Sequence, residues 1–142
     1  MKGEEFLEVG KALLRMKSEA AQRSAISRAY YALFNEATQL LQAWGMTVSQ
    51  NPSGHAEVQN RFFNCGVMSG ADFGRDLKEL RSKRIQADYN MAAKDFQNQN
   101  YCALLVAKAE SAMKTVSTFK QESLRQQIQT GIREYERKIK HS

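Results

Sequence analysis

Residues 20–44, AAQRSAISRAYYALFNEATQLLQAW, decide the fold. Ile26, Tyr30, Leu33, Ala37, Leu40 and Trp44 recur at spacings of 4, 3, 4, 3 and 4. That rhythm matches the α-helical repeat, so all six lie on one stripe of a helix of about 25 residues. Gly45 ends it, as glycine commonly does just past a helix C-terminus. A five-turn apolar stripe needs a core to face. Working outward from this segment, the rest of the chain supplies helices to build one.

Upstream, Phe6, Val9, Leu13 and Met16 repeat at three and four and predict a first helix over 4–17. Ser18 is a suitable N-cap for the helix that follows, with Glu19 placed in its first turn. Downstream, VSQNPSG (48–54) reads as a loop by composition. A third helix over 55–64 buries Val58, Phe62 and Phe63. The stretch CGVMSGAD (65–72) holds two glycines and reads as a break. Asp72 then caps a fourth helix over 73–87, with Phe73, Leu77, Leu80 and Arg84 on one side. YNMAAKDFQNQN (89–100) has no clear period and reads as a linker.

A fifth helix starts near Asn100, with Leu105, Ala109, Ala112, Val116 and Phe119 in helical register. The apolar phase then slips to Leu124, Ile128, Ile132, Tyr135 and Ile139. One straight helix from 100 to 140 would be about 60 Å long, about twice the length of a small bundle. A bend is therefore expected near Gln121–Leu124 or at Gly131, unless the last part projects onto another chain. No segment alternates like a strand. The expectation is an all-α, antiparallel up-and-down bundle of about five helices with a long C-terminal helix, in one domain.

The totals agree with that reading. The 142 residues carry 42% hydrophobic and 25% charged side chains, which is globular composition for a single core. The single proline, Pro52, leaves long helices unbroken. No apolar run is long enough to span a membrane. Glu4, Glu5 and Glu8 speak against a signal peptide. Cys65 and Cys102 have no metal or redox spacing and are expected as buried free thiols in a reducing cytoplasm. The net charge of +6 resides wholly in two segments, 61–84 and 120–142, each with an excess of three basic side chains. Such segments attract polyanions, or else form solvated helix faces.

Several chemistries have no support. There is no Gly-rich phosphate loop, HExxH or paired-cysteine site, and only two histidines, His55 and His141. No cofactor and no metal is expected. Two clusters remain, SRAYYALFNEA (27–37) and LRSKRIQADYN (80–90). In the first, Tyr30 and Phe34 share a helix face while Arg28 and Tyr31 share another. In the second, Arg81, Arg84 and Asp88 share a face, and Arg84 with Asp88 reads as a surface pair.

The two clusters, in this order and about fifty residues apart, resemble the HEPN domain family. More narrowly, they are similar to the branch whose genes neighbour small nucleotidyltransferases. The YYAxF helix of that branch is matched by Tyr30-Tyr31-Ala32-Leu33-Phe34, and its RxxADY segment by Arg84-Ile85-Gln86-Ala87-Asp88-Tyr89. His55 sits where such proteins often carry a histidine ahead of the third helix, and Asn35 where relatives often have one. The resemblance covers roughly residues 5–120. On that basis 1–120 form a HEPN-like bundle and 121–142 a basic helical extension of the same domain.

The resemblance implies a cytoplasmic homodimer in a toxin–antitoxin or anti-phage module. It would bind or cleave RNA without metal and pair with a nucleotidyltransferase-type protein. Many family members use an Arg followed four to six residues later by a His. Here the positions after Arg81 hold Gln86, Ala87 and Asp88, and those after Arg84 hold Tyr89, Asn90 and Met91. The motif is not intact, and a catalytic site would have to be rebuilt from Arg84, His55 and Asp88. Arg81, Arg84, Lys78 and Tyr89 are the expected RNA or nucleotide contacts, with Arg28, Tyr30, Tyr31 and Asn35 as the second-helix motif. The alternative is a non-catalytic module that dimerises or docks a larger protein, with nucleotide at Arg81, Arg84 and Asp88. The slipped stripe over 124–139 suits that alternative, because an isolated helix of this kind is marginal.

Overall fold

The structure is a computed structural model and describes residues 2–141. Among the described residues it is a bundle of six helices with no strand: α1 (Gly3–Leu14), α2 (Glu19–Ala43), α3 (Ser53–Phe63), α4 (Met68–Tyr89), α5 (Gln99–Thr118) and α6 (Glu122–Lys140), plus a single 3-10 turn at Asp95–Gln97. The central element is α2, with α1, α4 and α5 packed around it and α3 on α4. Its expected stripe is the core: Ile26, Tyr30, Leu33, Ala37, Leu40 and Trp44 are all buried. Ser18 caps it, its Oγ accepting the Ala21 N–H at 3.1 Å. Gly45 lies at φ +82°, a conformation that needs no Cβ relief only in glycine.

The first helix turns only part of its expected face inward: Phe6 and Leu13 pack half-buried against the core. Val9 and Met16 are exposed, and the buried positions are Gly3, Leu7 and Gly10. A Cβ at Gly10 would lie 3.1 Å from the Ala25 carbonyl oxygen, so the small-residue face admits the α2 backbone at close range. Dense packing over several residues outweighs the larger side chains on the other face. The helix also stops at Leu14, two residues before Met16.

The fourth helix begins at Met68, not 73, and its N-cap is Val67, not Asp72. Asp72 lies inside the helix and pairs with Arg75 at 2.8 Å. Of the two glycines that suggested a break, Gly66 lies in the turn before α4 at φ +78°, while Gly70 is a helix residue whose added Cβ would press on Cys65 Sγ. A Cβ at Gly74 would press into the backbone of Gln59 and Phe63 on α3. Phe62 is buried, whereas Phe63, expected inside, is half exposed.

The chain turns at Phe119–Gln121, so the expected long last helix is two helices and the bundle has six. Phe119 fixes the corner: it is fully buried, edge-on to Phe73 at 5.6 Å and stacked near Phe62 at 5.8 Å. From there α6 folds back onto α3 and buries Ile128 and Ile132. Leu124 and Tyr135 are half-buried and Ile139 is exposed. Gly131 is not a bend. It sits mid-helix against the Cys65 carbonyl, which a Cβ would overlap. Cys65 and Cys102 are free and buried. No helix among the described residues is long and apolar enough to cross a membrane.

Candidate functional site

The helical repeat of α2 sets Tyr30 inward and Tyr31 beside it, and α3 begins close enough to lay His55 over them. The Tyr30 hydroxyl and His55 Nδ1 are 2.6 Å apart. Phe34, one turn on from Tyr30, stacks on the imidazole at 4.2 Å between ring centres. From α4, the Arg84 guanidinium lies 5.3 Å from the Tyr31 ring centre and 5.7 Å from that of Tyr30. Cations over aromatic faces are held by the ring quadrupole, more strongly where water is excluded. His55 and Arg84 therefore meet the same tyrosine pair, although they stand on different helices.

Arg84 also donates to Asp88 Oδ2 at 3.4 Å, and Ser27 Oγ donates to the same oxygen at 3.4 Å. The Arg84–Asp88 pair is not the surface pair expected: the Arg84 side chain is only 10% exposed. A buried guanidinium needs its carboxylate, because removing one partner leaves an uncompensated charge.

Burial lowers the His55 pKa from its ordinary value near 6.5, and the Arg81 and Arg84 cations push the same way. Burial raises that of Tyr30, against the opposing pull of Arg81 and Arg84. Near neutral pH the pair is thus an uncharged imidazole and an uncharged phenol. The bond between them runs in either of two directions. Only when His55 donates from Nδ1 to the phenol oxygen is the Nε2 lone pair free to take a proton.

A folded-state pKa below the unfolded value fixes the sign of a stability effect. The contribution from His55 is fully present above about pH 6.5 and is lost as pH falls below that through the lowered folded value. Thermal melts of wild type and His55→Gln from pH 7.5 to 5 are expected to show a steeper decline for the wild type. Parallel declines would mean that the imidazole titrates in the folded protein as it does in the unfolded chain.

Arg81 lines a cleft of about 280 Å³ between α3 and α4, together with Gln59, Lys78, Ser82, Ile85 and Gln86. Arg81 Nε and Gln59 Oε1 are buried without a hydrogen-bond partner. His55 borders a cavity of about 260 Å³ with Phe34, Thr38, Gln42, Ser49 and Asn51. Other expected residues stand apart. Arg28 is exposed and turns toward Phe6 of α1, at 6.0 Å from its ring centre. Tyr89 is exposed at the end of α4, and Asn35 is half-buried on α2 outside these contacts. No group of three His, Cys, Asp or Glu among the described residues could hold a metal ion.

Three residues that complete the site were not among the expected site residues: Phe34, Ser27 and Gln59. Phe34 and Ser27 lie within the quoted motif, and helical spacing alone could have paired Ser27 with neither Asp88 nor α4. Gln59 gave no signal, being one polar residue on a short helix. Compared with protein-family models, with curated proteins and with solved structures, the chain has no match.

Proposed function

We propose that this chain is a HEPN-like module that acts on RNA without a metal ion, with His55 moving protons and Arg81 and Arg84 facing the phosphate. The observation that carries the reading is the convergence of three helices on one uncharged imidazole under the field of two arginines. An imidazole with a depressed pKa is free base near neutral pH, as a general base requires. In the proposed reaction His55 Nε2 takes the proton of an RNA 2′-hydroxyl. The 2′-oxygen attacks the adjacent phosphorus, the phosphorus–O5′ bond breaks, and the leaving O5′ takes a proton from water, while the His55 imidazolium returns its own to solvent. The products are a 2′,3′-cyclic phosphate and a 5′-hydroxyl. Arg81 stabilises negative charge on the phosphate oxygens, for which its planar fork is suited. Lys78 and Tyr89 extend the surface along α4, as a backbone contact and a base-stacking ring. A homodimer of the bundle, a cytoplasmic setting and a nucleotidyltransferase-type partner in a toxin–antitoxin or anti-phage module complete the proposal, on the strength of the motif resemblance.

The burial of Arg84 between Asp88 and the tyrosine rings favours a second reading, in which the cluster is a rigid platform and the module binds without cleaving. Fluorescence anisotropy with a labelled single-stranded RNA tests the part common to both RNA-directed versions. Affinity is expected to fall steeply with salt, and Arg81→Ala to reduce the salt slope by about 0.7 for the lost phosphate contact. Salt-independent binding, or none, would direct attention to a protein partner instead.

A further inference from the structure

A groove of about 430 Å³ lies away from this cluster, where the C-terminal turn of α2 meets α3 and α6. Trp44 and Met46 line it, with Arg61 from α3 and Arg133, Arg137 and Lys140 from α6. The three α6 cations sit at i, i+4 and i+7, so they form one stripe, set beside the Ile128 and Ile132 positions that dock the helix. The groove contains one carboxylate, Glu136, and Arg61 already holds it at 3.1 Å while donating to the Thr47 carbonyl at 2.8 Å. Arg137 has an exposed partner in Glu134 at 2.8 Å. Arg133 and Lys140 make no ion pair among the described residues.

A solvated basic face is usually convex and interleaved with acids. Here cations converge on a concavity from two helices, and concave walls concentrate the field and draw in anions. The fold-back of α6 is what creates the site, since it carries the basic C-terminal segment against Arg61. We infer that this groove binds the phosphodiester backbone of a nucleic-acid strand, as a grip separate from the His55 cluster. The choice of a nucleic acid rests on the RNA reading above, while the demand for a polyanion rests on the groove itself. His55 and Arg61 are both on α3, six residues or about 9 Å of helix rise apart, so one strand can engage both places.

The test uses labelled single-stranded RNA and DNA of about 20 nucleotides, titrated by anisotropy between about 50 and 200 mM salt. The variant is Arg133→Gln/Arg137→Gln/Lys140→Gln, all exposed positions, with its melting temperature checked against the wild type. DNA lacks the 2′-hydroxyl, so it reports the grip without the reaction. The expected result is that the triple variant binds both strands at least tenfold more weakly, with a salt slope shallower by about 2. A triple variant that keeps wild-type affinity and slope for both strands overturns the inference, and wild-type RNA cleavage in that case leaves the RNA reading standing. Loss of DNA binding in the triple variant, with no RNA cleavage by the wild type, supports the groove and removes the catalytic reading. Binding of phosphatidylserine vesicles in place of either strand overturns the choice of nucleic acid.

Discussion

Replacing Arg23 with alanine is expected to cost about 3–5 kcal/mol of folding stability, the range for stripping the partner from buried polar groups. Arg23 is buried on α2, and its Nη1 donates to the carbonyls of Ala87 and Asn90 at 2.9 Å each. A longer contact reaches Gln86 at 3.4 Å, and Nη2 reaches Ala93 at 2.8 Å and Met91 at 3.5 Å. These are the last carbonyls of α4 and those of the chain just beyond it, groups that a helix end leaves without intrahelical donors. The guanidinium charge also meets the negative end of the helix dipole and lies 5.0 Å from the Phe96 ring centre. Its neighbour Gln22 donates to the Phe96 carbonyl at 2.6 Å, so two adjacent residues of α2 organise the whole α4–α5 connection. Alanine at 23 strips the donor from the buried Ala87 carbonyl and from the part-buried contacts at Gln86, Asn90, Met91 and Ala93. Arg23→Lys should recover only part of the loss, because an ammonium has three donors on a narrower head. Urea denaturation of the three proteins measures this. A loss under about 1 kcal/mol for Arg23→Ala would mean that water replaces the guanidinium, and that the arginine is not what closes α4.

The second large effect is expected at Gly131. A Cβ there overlaps the Cys65 backbone carbonyl, which is fixed between α3 and α4 and cannot rotate away as a side chain would. Gly131→Val should lift α6 off α3 and expose Ile128 and Ile132. At about 1.5–3 kcal/mol for each buried isoleucine, the cost is on the order of 3 kcal/mol, less what a partial redocking retains. The damage should be local: amides of α6 exchange faster with solvent while those in the centre of α2 keep their protection. Cys65, buried under α6, should become reactive to thiol reagents in the variant and stay inert in the wild type. Uniform loss of protection over all helices would show instead that α6 and the rest of the bundle unfold as one unit.

These two residues also mark where the sequence stopped being readable. The α2 stripe was legible because every member is large, apolar and in register, and Ser18 because a cap is a local device. The inner face of α1 was not, since Gly3 and Gly10 carry no hydropathy signal although they decide how near α2 can come. The start of α4 was hidden for the same reason: Gly70 looks like a breaker until the side chains of Cys65 and Ile128 lie against it. Arg23 stands outside every motif of the sequence, and only the far end of α4, more than sixty residues on, reveals its acceptors. The phase slip after Phe119 did foretell a separate apolar surface in the last segment, and the fold-back onto α3 is how that surface is buried. Of the candidate site, the tyrosines and Arg84 could be picked out from their motif, and His55 from its position. Their meeting could not be read, because the 25 residues between Tyr30 and His55 fix no distance without the packing of α3.

The central claim is that His55 and the arginines form one RNA-directed centre, and metal-free cleavage is its most direct measurement. Purified wild type, His55→Ala and Arg84→Ala, each shown to be folded by circular dichroism, would be incubated with total RNA and with tRNA in the presence of EDTA. The fragment ends would then be analysed. The account predicts fragments with 2′,3′-cyclic phosphate ends from the wild type and a loss of about a hundredfold or more in His55→Ala, the scale of a missing general base. Intact RNA with the wild type, or undiminished cleavage by folded His55→Ala, would contradict it.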